Sequence, residues 1–94
     1  MKFLIGDIGN TSTKICVLNN DFKILRSYNF ETIKMLKGNL LKTVVRKRIN
    51  KGLNPIFLFS SVVPKVFSNI KKCFKFSKYK VLELKNLNLN KVIK

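Results

Sequence analysis

The chain has 94 residues, 46% of them hydrophobic, with 20 Lys or Arg against 4 Asp or Glu and no His, a formal charge of +16. That length allows one domain at most and a core near the size where stability becomes marginal. No run approaches the roughly 18–20 apolar residues of a membrane span, and two cysteines with no histidine cannot close a zinc site.

The first expected strand, Lys2–Asp7, carries the apolar run Phe3-Leu4-Ile5. Gly6-Asp7-Ile8-Gly9-Asn10 interrupts that run too early for a signal peptide, so cytoplasmic residence is expected. A polar stretch, Gly6 to Lys14, leads into a second strand at Lys14–Leu18. Asn19-Asn20-Asp21 reads as a turn whose asparagines tolerate left-handed backbone. A third strand is expected over Phe22–Phe30, from the even spacing of Phe22, Ile24, Tyr28 and Phe30.

Helical spacing follows, with Ile33, Leu36, Leu40, Val44 and Ile49 near one face. Gly38-Asn39 weakens the middle, Asn39 is a candidate cap, and Gly52 a candidate stop. Pro55 to Ser60 is continuously apolar up to its last residue, as in a strand buried on both faces. Pro64 can open the next helix, whose apolar positions are Val66, Phe67, Ile70 and Phe74. Lys80–Leu84 reads as a last strand, and the tail from Lys85 to Lys94 lacks a strong pattern. Cys16 and Cys73 sit within apolar patterns and read as buried small hydrophobes rather than a disulfide. The order β-β-β-α-β-α-β implies an α/β domain, with a meander followed by parallel strands added through crossovers.

The polar stretch holds the groups needed to bind a metal-bound polyphosphate. Gly9 would admit left-handed backbone and the close approach of an anion. Successive N–H groups of such a turn can form an anion-binding concavity. Thr11, Ser12 and Thr13 add hydroxyls, Lys14 adds a positive charge, and Asp7 can bind Mg²⁺ directly or through water. A polar hairpin without a ligand uses the same residue types.

The ordered string Asp7-Ile8-Gly9-Asn10-Thr11-Ser12-Thr13-Lys14 is more particular than its composition. It resembles the first phosphate-binding motif of type III pantothenate kinases, members of the actin, sugar-kinase and Hsp70 superfamily. Ser60-Ser61-Val62-Val63-Pro64, after a predicted strand, resembles a second motif of that family. The resemblance implies a ribonuclease H-like (actin-like ATPase) domain with a mixed five-stranded sheet over residues 1–94. It further implies ATP, Mg²⁺ and a monovalent cation (K⁺ or NH₄⁺) as cofactors of the complete enzyme. Pantothenate is the implied substrate and a homodimer the implied assembly. Transferred residue by residue, it places Asp7, Ile8, Gly9, Asn10, Thr11, Ser12, Thr13 and Lys14 at the ATP phosphates, with Asp7 at the metal. Ser61 is equally readable as a helix cap.

The family continues with a Gly-x-Asp-Arg motif, implied to carry the catalytic base, and a second Gly-Thr phosphate motif; neither occurs here. The acids are Asp7, Asp21, Glu31 and Glu83, and only the first lies in a family motif. The expectation is an N-terminal kinase domain, truncated or split from its catalytic partner and inactive alone. The alternative is a non-enzymatic remnant that binds a protein or nucleic acid. The 17 lysines run along the whole chain, and arginine, the better reader of phosphates and guanines, occurs three times. A solvated basic surface is therefore expected, with no nucleic-acid partner.

Overall fold

The computed structural model describes residues 1–49 and 51–84. β1 (Lys2–Ile8), β2 (Ser12–Leu18) and β3 (Ile24–Glu31) form an antiparallel meander. β4 (Leu53–Ser61) pairs parallel with β1, and β5 (Lys80–Glu83) parallel with β4. The sheet order is β3-β2-β1-β4-β5, the mixed five-stranded α/β arrangement expected.

The third strand starts two residues later than expected. Phe22, not an asparagine, takes the left-handed backbone of the preceding turn, at φ 60°. Asn19 shapes that turn instead, its Oδ1 accepting the N–H groups of Asp21 and Lys23 at 2.9 and 3.0 Å. Phe22 then stacks on Phe3, with ring centroids 5.9 Å apart.

The segment after β3 is not one helix. A 3-10 turn (Thr32–Met35) ends before Gly38, whose φ of +81° breaks the path. α1 (Leu40–Val44) follows and widens into a π-helical turn over Val45–Ile49. The break shifts the helical phase, so of the expected face only its end is covered, Ile49 buried and Val44 half-buried against the core. Ile33 is 73% exposed and Leu36 and Leu40 are exposed too, while Met35, Leu41, Val45 and Ile49 are buried. Asn39 occupies the N-cap position, yet its side chain makes no capping bond. Gly52, at φ +66°, ends the segment as expected.

α2 (Pro64–Cys73) begins at its proline and buries Val66 and Ile70, with Phe74 just beyond, close to the expected pattern. These residues pack with Leu41, Val45 and Ile49 onto Leu4, Ile8, Ile15, Phe57 and Phe59, so both helices cover one face of the sheet. Phe57 anchors that layer, stacked on Tyr79 at 4.6 Å and edge-on to Phe74 at 5.3 Å. The opposite face holds a smaller cluster, Ile5, Cys16 and Leu18 with Phe3 and Leu58. Among the described residues no helix contributes to it. β4 is thus not buried on both faces as its apolar run suggested, because Ile56 is exposed and Leu58 half-buried. Cys16 and Cys73 are free, one in each layer. No helix among the described residues is long and apolar enough to cross a membrane. The tail beyond Leu84 lies outside the described residues.

Candidate functional site

The polar stretch is more strand than loop. β1 runs to Ile8 and β2 starts at Ser12, leaving Gly9, Asn10 and Thr11 as the connection. Gly9 N–H donates to Ser12 O at 3.0 Å and closes the hairpin. Asn10 and Thr11 are exposed, and among the described residues their N–H groups meet no protein acceptor. Adjacent unpaired N–H groups at a tight turn are what an anion-binding concavity requires.

Alternation along the strands divides the other residues between two sides. Asp7, Ser12 and Lys14 are exposed, while Ile8 and Thr13 are buried. In register, Asn29 lies across from Lys14, Lys14 across from Asp7, and Asp7 across from Ser60. The two stretches separated in sequence thereby meet in one polar row crossing four adjacent strands. Among the described residues the one salt bridge joins Lys34 to Glu31 at 3.8 Å, so Asp7 has no cationic partner within that reach.

The inward side holds the connection in place. Thr32 Oγ1 donates to Gly9 O at 2.7 Å. Thr13 Oγ1 lies 2.9 Å from Thr32 Oγ1. Because the single hydroxyl hydrogen of Thr32 is committed to Gly9, Thr13 is the donor of that second bond. Thr32 N–H also donates to Thr11 O at 2.9 Å. Thr32 was not among the expected site residues. Its partners are 19 and 23 residues away in sequence, and no local pattern marks it.

Several expected roles change with this geometry. Gly9 is not left-handed; what it lacks is room, since a Cβ there would stand 3.0 Å from Ser12 O. Ile8 offers no side chain to a ligand, because that side chain is in the core, and its carbonyl accepts Val62 N–H at 3.0 Å. Thr13 turns its hydroxyl inward. Ser61 does not cap α2, whose N-cap position is Val63; its Oγ accepts Val63 N–H at 3.0 Å and shapes the turn into the helix.

The remaining acids are scattered. Asp21 lies in the turn at the far end of the sheet, Glu31 across from Ser12 at the loop end, and Glu83 across from Phe59 on β5. No group of three or more carboxylate, Cys or His side chains that could hold a metal exists among the described residues. Asp7 could bind a divalent ion only with oxygens from a ligand and water completing the shell. That suits Mg²⁺, which is commonly held by one or two carboxylates and substrate phosphates.

The family model for type III pantothenate kinase matches residues 3–93. A type III pantothenate kinase of Pelagibacter ubique is 45% identical over 93 residues, covering 97% of this chain and 37% of that protein. The chain therefore spans little more than a third of that relative. Among solved structures, the fowlpox virus Holliday junction resolvase superposes with a TM-score of 0.58 at 19% identity, covering 90% of this chain and 61% of that one. A ROK family protein of Streptococcus pneumoniae in complex with sucrose gives a TM-score of 0.54 at 18% identity, covering 92% of this chain and 35% of that one. At these identities the two structures speak to the fold alone.

Proposed function

The chain belongs to the type III pantothenate kinase family, and from that premise we propose that it forms the ATP-phosphate-binding wall of such an enzyme. The observation that carries this reading is the polar row, in which the parallel register of β1 and β4 sets Asp7 beside Ser60. In this reading the N–H groups of Asn10 and Thr11, the hydroxyls of Thr11 and Ser12, and Lys14 donate to phosphate oxygens. Asp7 would hold Mg²⁺, which when bound would supply charge neutralisation to the transferring group. Thr13 and Thr32 are positioning residues, acting through Gly9. Ile8 contributes packing only. The monovalent cation, the homodimer and cytoplasmic residence belong to the complete enzyme.

The reaction proposed for that enzyme is transfer of the γ-phosphoryl group of ATP to the hydroxyl of pantothenate. Residues 1–94 supply anion and metal contacts on one wall of a cleft, and the nearest other acid, Glu31 across from Ser12, pairs with Lys34 rather than orienting an attacking hydroxyl. Positioning alone can contribute ~7–11 kcal/mol to such a reaction, so the chain is expected to be inactive by itself. The test is ATP-dependent phosphorylation of pantothenate by the purified chain, alone and mixed with the remaining two-thirds of the Pelagibacter ubique relative. Turnover only in the mixture is expected. Turnover by the chain alone, or none in a mixture whose two parts demonstrably associate, would overturn the reading.

A further inference from the structure

Between Thr32 and Leu82 the sequence carries eleven lysines, two arginines and no acid. Five of them fall within residues 71–80, and the fold brings Lys42 and Arg46 to the same loop. On one side of the loop after α2, a hollow of about 400 Å³ is lined by Lys71, Lys72, Lys75 and Lys80. On the other side, a hollow of about 260 Å³ is lined by Lys42, Arg46 and Lys78. Tyr79 lines both. Phe76, in the same loop, lines neither hollow and is 95% exposed. Lys75 Nζ lies 5.4 Å from the Phe76 ring centroid and Lys78 Nζ 5.3 Å from that of Tyr79. Glu83, the nearest acid in sequence to this loop, makes no salt bridge among the described residues.

We infer that this edge of the domain binds single-stranded nucleic acid, the two basic hollows following the phosphate backbone and Phe76 stacking on a base. A positively charged groove interleaved with aromatic rings is the arrangement by which strands are held without sequence preference. Lysine supplies point charges rather than bidentate base contacts, which fits indifference to sequence. An anionic membrane would also attract the charge, but a flat surface cannot enter the two hollows. Nor could a duplex offer an unstacked base to Phe76. This proposal departs from the expectation of a merely solvated basic surface and does not rest on the kinase reading.

The test is fluorescence anisotropy of a labelled oligothymidylate of about 12 nucleotides titrated with the full chain across a salt series. Binding at low salt is expected, weakened roughly fivefold or more by Phe76→Ala, with the circular dichroism spectrum unchanged because the ring packs on nothing. Combining Lys71→Gln, Lys72→Gln, Lys75→Gln and Lys80→Gln should reduce the slope of log K against log salt by up to about 3. A control carrying Lys2→Gln, Lys23→Gln, Lys34→Gln and Lys51→Gln should change it far less. Affinity unmoved by Phe76→Ala would overturn the proposal, as would a control set as costly as the groove set. So would equal affinity for a duplex of the same length, or binding to phosphatidylglycerol vesicles without binding to the oligonucleotide.

Discussion

The two sides of the sheet at its loop end are built from alternate residues of the same strands, yet they do different work. One side faces the helices: Gly6, Ile8, Thr13 and Ile15 are buried among the core or held by Thr32. The other presents Asn29, Lys14, Asp7 and Ser60 in a row, the side on which the nucleotide is proposed to bind. If the outward side binds the nucleotide as proposed, chemistry and stability are interleaved residue by residue, and single substitutions should separate them.

The largest effect on stability is expected at Gly6, where an added Cβ would run into the Phe59 ring. Gly6→Ala should cost about 3 kcal/mol through overpacking, read as a lowered midpoint in urea unfolding. A midpoint within error of the parent would show that this side of the sheet can give way.

Next comes Thr32→Val, which removes the hydroxyl bond to Gly9 O and strands Thr13. About 1–3 kcal/mol of stability should be lost. Thr13→Val alone should cost less, because Thr32 keeps its bond to Gly9. The double variant should cost less than the sum of the two, and strict additivity would show that the threonines do not act as a unit. Nucleotide affinity in the complemented enzyme should fall with Thr32→Val even though that side chain points away from the ligand side.

On the outward side, Asp7→Asn should leave unfolding within about 0.5 kcal/mol of the parent, since the carboxylate is exposed and forms no ion pair among the described residues. Activity of the complemented enzyme should nevertheless drop on the order of 100-fold, the scale of losing one preorganised charge contact. Loss of cooperative unfolding instead would make Asp7 structural and erase the contrast between the sides. The smallest effect on stability is expected for Lys14→Gln, which should leave unfolding unchanged and weaken nucleotide binding in a salt-dependent way.

What could be read from the sequence follows the range of the interactions. The hairpin from Asp7 to Lys14 was legible because its polar residues are consecutive and flanked by apolar strands. The start of α2 was legible because Pro64 and the spacing of Val66, Ile70 and Phe74 are local signals. The buried face of residues 33–49 was not, since Gly38 resets the helical phase and hands burial from Ile33, Leu36 and Leu40 to Met35, Leu41 and Val45. Thr32 was invisible for a different reason: its worth lies in bonds to Gly9 and Thr13, across the width of β2 and β3. The run of lysines from Lys71 to Lys80 was visible as charge, but that Lys42 and Arg46 join it around one loop depends on tertiary packing.

The register of β1 against β4 also constrains how the gene can change length. Ser60 stands beside Asp7 because the ladder holds it there, not because of the number of residues between them. Insertions or deletions around Gly38 and Asn39, where the chain already breaks its helical path, would leave that alignment untouched. Loss of Leu58, with the start of β4 held in register, would turn Ser60 toward the helices, bring Phe59 to the outer face and set Ser61 beside Asp7. Related genes should therefore vary in length before β4 and keep it fixed inside β4.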